Sequence, residues 1–156
     1  MEKLFLFGHH PAAIDSKHRI LVPAPIRRRI NAEIHGKDFF LVIGENRRPW
    51  LYPNKFYEEL AGTQRSELTP GPETVEFDRM NFGMAEFVEL DGQGRILVRT
   101  HSLEWMGLGQ AKEVYLVGVR DHIELWDKAD WENERNAMAA RPREIWSRAR
   151  QAQQNP

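Results

Sequence analysis

Hydrophobic positions fall in short runs interrupted by Gly, Pro, Asn and Asp, the spacing of strands joined by tight turns. One strand runs into Asp15, a four-residue turn follows, and a second apolar strand covers residues 19–22. Pro23 and Pro25 precede a short helix with Ile26 and Ile30 four apart on its inner face, which turns Arg27, Arg28 and Arg29 elsewhere. The chain returns as a strand over 38–43, turns tightly, and makes a short strand over 50–52. A helix follows from about Asn54, N-capped by Asn54 or opened by Pro53. A Thr/Pro/Gly-rich hinge at 68–72 and a short amphipathic stretch to Phe82 come next. The order then repeats: a strand into Asp91, a turn, a strand over 95–98, a helix over 101–106 stopped by Gly107, and strands over 113–119 and 123–126. A helix from Lys128 is capped by Asp127. Beyond it Trp131, Met138 and Ile145 stand seven apart, Pro142 splits the tail into two helices jointed near Arg141, and residues 151–156 read as frayed.

The second round copies the first in residues as well as in pattern. Residues 14–23 align with 90–99 at five identical positions of ten: Asp15/Asp91, Arg19/Arg95, Ile20/Ile96, Leu21/Leu97 and Val22/Val98. At a slightly shorter offset Leu41 matches Tyr115, Gly44 matches Gly118, Leu51 matches Leu125 and Tyr57 matches Trp131. The repeat unit is about 55 residues of β-turn-β-α-β-turn-β-α, too small and open to bury its sheet alone. Two copies in one chain point to an intramolecular pairing in which the hairpins of one half complete the barrel of the other.

Composition narrows the setting. The chain has 156 residues, 41% hydrophobic and 29% charged, enough for a core without covalent staples. With no cysteine there are no disulfides, thiol catalysis or Cys-ligated metal sites. No apolar run approaches the ~20 residues of a spanning helix, and the charged, Phe-rich opening lacks the features of a signal peptide. A cytoplasmic protein is expected. The net charge of −1 conceals an uneven layout: +4 over residues 1–65, −8 over 66–135 and +3 over 136–156. A basic first half can present one anion-binding edge although the average charge is near zero.

Lys17, His18 and Arg19 occupy the tip of the first turn, where an ammonium and a guanidinium suit phosphate oxygens and Arg can also bind guanine. On residue types alone a solvated hairpin end is the favoured reading, and Arg19 and Arg95 can also pair with Asp15 and Asp91 of their own turns. Arg27, Arg28 and Arg29 are the densest basic run, suited to a phosphate flank or to salt bridges with an acidic neighbour. His9 and His10 lack a helical His partner at i+3 or i+4, so a strand or loop role is favoured over a metal. There is no P-loop, Rossmann, zincin or Gly-x-Ser-x-Gly motif. No enzyme activity, cofactor, metal or small-molecule substrate is expected.

At the two Asp-x-x-x-Arg-hydrophobic motifs the chain resembles the MraZ family. Phe7-Gly8 before Asp15, the loops Asp15–Arg19 and Asp91–Arg95, Trp50–Pro53, Lys112–Gly118 and Glu124–Asp127 carry the likeness over nearly the whole length. The resemblance implies a mixed α+β, mainly β fold: two tandem AbrB-like (SpoVT-AbrB) swapped-hairpin β-barrel units forming an intramolecular pseudo-dimer, with flanking short helices. The units fall at residues 5–65 and 83–132, with a hinge and connecting helix at 66–82 and a helical tail at 133–156. It implies a sequence-specific, non-enzymatic DNA-binding regulator of the bacterial cell division and cell wall gene cluster. Such a protein is a ring homo-oligomer on double-stranded DNA direct repeats, cytoplasmic and nucleoid-associated, without membrane contact. DNA contacts are then expected from Lys17, His18, Arg19, Gln93, Arg95, Arg27 and Arg28, on turns shaped by Asp15, Asp91 and Gly94. The alternative is a ring-forming protein–protein adaptor, or an inhibitor of a partner enzyme, using the same loops. Two positions depart from the family pattern. His18 stands where glycine is usual, at a strain on the order of 1 kcal/mol for a left-handed backbone. Arg99 stands where proline is usual, which frees one N–H and brings a further cation near the second loop.

Overall fold

Strand and helix boundaries follow the hydrophobic pattern closely. The computed structural model describes residues 3–155. The first repeat forms β1 (His9–Ala13), β2 (Arg19–Leu21), α1 (Ala24–Arg27), β3 (Phe39–Ile43), β4 (Pro49–Pro53) and α2 (Asn54–Gly62). α3 (Pro72–Asp78) and a π-helical turn over Arg79–Gly83 lead to the second repeat. That repeat forms β5 (Glu86–Val88), β6 (Arg95–Leu97), α4 (Thr100–Trp105), β7 (Glu113–Val119), β8 (His122–Asp127) and α5 (Lys128–Ala139), with α6 (Pro142–Gln154) beyond.

The halves exchange strands. A six-stranded sheet runs β1-β7-β8-β4-β3-β5, so each half's hairpin is flanked on its outer side by a strand from the other half. A second sheet is the antiparallel pair β2-β6, one strand from each half. Here Ile20 lies opposite Ile96, its own counterpart, and Trp50 likewise lies opposite Glu124 where β4 meets β8. At these meeting points, and at the β1-β7 and β3-β5 pairs, strands of one copy are hydrogen-bonded to strands of the other, with β1 and β5 left as the edges of the large sheet. The N-terminal segment adds to the seam, Leu6 and Arg120 exchanging backbone hydrogen bonds of 2.7 and 2.8 Å. Gly118 permits that approach, because a Cβ there would fall 2.5 Å from the Phe7 nitrogen.

The core lies between the two sheets. Ile20 and Ile96 from the small sheet and Leu41, Leu51, Val114, Leu116, Ile123 and Leu125 from the large one are all fully buried. Side chains one position away on β2 and β6 point outward, as the two-residue period of a strand requires.

Some local expectations are corrected. α1 ends at Arg27, so Ile30 lies in the turn beyond it, although it still packs on the core. Asn54 does not cap α2. Pro53 is the N-cap residue, and the Asn54 side-chain oxygen accepts from the Asp38 N–H at 3.1 Å instead. Asp127 does cap α5, accepting from Ala129 N–H at 3.1 Å, and the tail breaks at Arg141 as Pro142 demands. The fraying expected over 151–156 does not hold: α6 continues through Gln154, because residues 143–154 are mostly good helix formers with neither Gly nor Pro. Pro156 lies outside the described residues.

Candidate functional site

The two Asp-x-x-x-Arg loops are built alike. In the first, Asp15 Oδ1 accepts from the backbone N–H groups of Lys17 and Arg19, both at 2.9 Å, and Oδ2 accepts from Arg19 Nε at 2.7 Å. In the second, Asp91 Oδ1 accepts from Gln93 and Arg95 N–H at 2.8 and 3.0 Å, and Oδ2 from Arg95 Nε at 3.0 Å. Backbone donors, that of Arg19 foremost, hold the Asp15 carboxyl down at about 2, and the Arg95 N–H does the same in direction for Asp91. Each carboxylate therefore stays ionised and fixes both the turn and the arginine that follows it.

The arginines are oriented rather than consumed by these pairs. Their side chains remain 31% (Arg19) and 27% (Arg95) exposed. Each bond to Asp uses Nε, and the Nη amino groups take no partner among the described residues. A guanidinium held by Nε keeps the two-pronged Nη edge that matches phosphate or guanine.

Strand pairing brings the two loops to one surface. Arg19 faces Leu97 and Leu21 faces Arg95 across β2-β6, so the outer face of this ribbon is a checkerboard of two guanidiniums and two leucines. Leu21 is 47% and Leu97 59% exposed, although both sit within strands. Arg19, Arg95, Arg99 and Leu97 also border one depression of about 460 Å³, together with Glu86 and Asp91. Lys17 and Gln93 stand exposed beside this ribbon on the loop tips.

Cross-loop bonds lock the pair. Val22 N–H donates to the Gly94 carbonyl at 2.8 Å, and Val98 N–H donates to the His18 carbonyl at 3.1 Å. Gly94 and His18 occupy equivalent places and share a left-handed backbone, φ 80° and 61°. At Gly94 a Cβ would lie 2.7 Å from the Arg27 guanidinium, so a side chain there would push that arginine aside. At His18 there is room, and the imidazole Nδ1 sits 3.0 Å from the Thr100 hydroxyl. The histidine thus replaces glycine by tying loop one to the start of α4.

The remaining predicted residues divide. Arg27 donates from Nε to the Val22 carbonyl at 2.8 Å and packs under loop two, so it braces the ribbon from the side. Arg28, the C-cap residue just beyond α1, is exposed. Arg29 turns away, lying over the rings of Phe5 and Phe7 at 5.7 and 5.4 Å. The N–H that Arg99 has in place of a proline donates to Glu86 at 3.2 Å, and its guanidinium approaches the same carboxylate at 3.7 Å. His9 serves the strand, its Nδ1 accepting from Trp131 Nε1 at 2.8 Å. Residue-type reasoning missed Leu21 and Leu97. Their signal was available: a leucine repeated at the outward position of both Arg-Ile-Leu-Val strands.

The site is a two-stranded ribbon with two arginines and two exposed leucines on one face. Among the described residues no group of three or more His, Asp and Glu side chains is placed to hold a metal ion, and no helix is long and apolar enough to cross a membrane. Comparison with known proteins gives the family. The family model described as "MraZ protein, putative antitoxin-like" matches residues 81–151. A protein of Coxiella burnetii named Transcriptional regulator MraZ is 36% identical over 135 residues, covering 85% of this chain and 86% of its own. Proteins of the same name from Acetivibrio thermocellus and Thermomicrobium roseum are each 32% identical, over 81% and 85% of this chain and 84% and 89% of theirs. The chain belongs to the MraZ family, whose matched members are named as transcriptional regulators and not as enzymes.

Proposed function

We propose that this protein is a sequence-specific DNA-binding transcriptional regulator, nucleoid-associated in the bacterial cytoplasm, acting on promoters of the cell division and cell wall gene cluster. The names of its relatives support the regulatory role. The observation that carries the DNA-binding reading is the β2-β6 ribbon, on which two loops with the same internal bracing aim arginines outward between exposed leucines. A B-DNA major groove, ~12 Å wide, admits a two-stranded ribbon, guanine offers O6 and N7 to an arginine fork, and thymine offers a methyl to a leucine. Arg19 and Arg95 are the base-reading residues of this proposal. Lys17, Gln93 and Arg28 contact the flanking phosphates and fix the register. His18, Gly94, Asp15, Asp91 and Arg27 hold the loops in shape.

In this reading residues 5–65 and 83–132 are two AbrB-like swapped-hairpin units joined as an intramolecular pseudo-dimer, with 66–82 as connector and 133–156 as an added tail. The alternating strand order supports it. Chains assemble head to tail into a closed ring. Ribbons around the rim then share one sense, so the operator is a set of direct repeats about one helical turn, ~10–10.5 base pairs, apart. Weak single contacts add through effective concentration.

The test is binding to the protein's own promoter fragment. Affinity should fall steeply with salt, a single repeat should bind weakly, and inserting five base pairs between repeats should remove most of the gain. A footprint centred on one inverted repeat and indifferent to half-turn insertions would overturn the direct-repeat reading. Salt-insensitive or absent DNA binding would favour an adaptor that grips a protein with the same loops.

A further inference from the structure

The first half carries an apolar groove of about 830 Å³ that none of the described residues fills. Its walls include Trp50, Tyr57 and Leu60, with Phe77, Met80 and Phe82 from α3 and the π turn. Phe77 is 54% exposed and Met80 and Phe82 are each 38% exposed, a contiguous apolar lining that a monomer in water has no reason to keep open. The wall that carries Phe77 is acidic: residues 66–78 hold Glu67, Glu73, Glu76 and Asp78 and no lysine or arginine.

The opposite chemistry stands at the end of the chain. α6 is a 13-residue amphipathic helix in which no residue is buried, packed within the chain on α5. Ile145, Trp146, Ala149 and Ala152 share one face at helical spacing, and Trp146 is 67% exposed. Arg143 and Arg150 flank that face on one side and Arg148 on the other, and α6 contains a single acid, Glu144. A helix of this length is marginal in water without a surface to cover its apolar stripe.

We propose that α6 of one copy docks into the groove of a second copy, with Trp146 as the anchor beside Phe77 and Met80, and the arginines facing the acidic α3. The inference rests on the ring reading above and names the surface that makes the ring. An exposed apolar helix face flanked by arginines, and an open apolar groove whose lining is charge-balanced (Glu45, Arg47) but bordered by the acidic α3, make a heterologous contact, which closes into a ring or runs into a filament. The helix-in-groove form, with a tryptophan at its centre, is a recurrent mode of recognition.

The experiment measures the mass of the full-length chain by light scattering, for wild type, Trp146→Glu, Phe77→Glu and an equimolar mixture of the two variants. Both substitutions are at exposed positions, so far-UV circular dichroism should match wild type, and the melting midpoint should fall only as far as loss of the oligomer lowers it. Each variant alone should lose the oligomer, its self-association weakened at least tenfold. The mixture should form a heterodimer of twice the monomer mass, because one variant keeps an intact groove and the other an intact helix. Variants that retain the wild-type oligomer overturn this contact and leave the ring reading standing. A monomeric wild type overturns the ring reading too. If amide exchange of α6 in that monomer speeds up on Phe77→Glu, the helix lies in its own groove.

Discussion

Ile20 and Ile96 face each other at the one point where β2 and β6 meet as equivalents, and neither has any exposed surface. Truncating Ile20 to alanine removes a buried branched side chain and leaves a cavity on a seam made by both halves. A change of this kind costs about 2–5 kcal/mol. Against the 5–15 kcal/mol typical of a folded domain, that is roughly a third of the stability. For a chain of this size the midpoint of thermal unfolding should fall by roughly 4–20 °C. Urea unfolding followed separately by tryptophan fluorescence and by amide exchange tests the origin of the loss. Because the large sheet alternates strands of the two halves, Ile20→Ala should weaken amides of β7 and β8 as much as those of β3 and β4, in one transition. Ile96→Ala should weaken both halves in the same way. The double variant should cost less than the sum, since the two side chains share a cavity. Two resolved transitions, with only the mutated half responding, would refute the interleaved account.

Other consequences are open to direct measurement. Residues 1–69 alone should be insoluble or should dimerise to regain the missing strands, and a stable cooperative monomer in analytical ultracentrifugation would contradict this. Lys17→Ala with Arg19→Ala should abolish specific DNA binding with little change in far-UV signal, and should flatten the logarithmic salt dependence by at most about two units. Leu21→Ser with Leu97→Ser should reduce discrimination between operator and random DNA more than it reduces non-specific affinity, as competition titrations would register. The Asp15 carboxyl is depressed in the folded state to about 2 from an unfolded value near 3.9. Its contribution is thus fully present above about pH 4 and lost as pH falls through 2. Urea midpoints of wild type should decline across that window, and those of Asp15→Asn with Asp91→Asn should decline less.

Much of this was legible in the sequence, for a physical reason. The internal repeat put the same Asp-x-x-x-Arg-Ile-Leu-Val string at two places, and local chemistry dictates its form: an aspartate that accepts from the two N–H groups ahead of it makes the same turn each time. Proline and glycine placed the breaks at Pro72, Gly107 and Pro142 correctly, because their backbone limits are local. What escaped was non-local. That Arg27 lies beneath Gly94, and that His18 bonds to Thr100, depends on the β2-β6 register, which fixes which loop abuts which helix. Asn54 shows the same limit: its side chain suits a cap, but the fold brings the Asp38 N–H within reach and that bond wins.

The departures at His18 and Arg99 also acquire one meaning only in three dimensions. They lie in different repeats, yet the antiparallel seam sets His18 against the entry to α4, whose N-cap is Arg99. The imidazole bonds to Thr100 just inside that helix, and the N–H gained at Arg99 bonds to Glu86 on β5. Where the family pattern has a flexible glycine and a stiff proline on the two sides of this junction, the present chain has two side-chain-supported joints. Neither hydrogen bond could be made by a glycine at 18 or a proline at 99, since the first lacks the imidazole and the second the N–H. The loop that presents Lys17 and Arg19 is thus shaped by its own Asp15 and held in place against the second repeat by Val98 and Thr100.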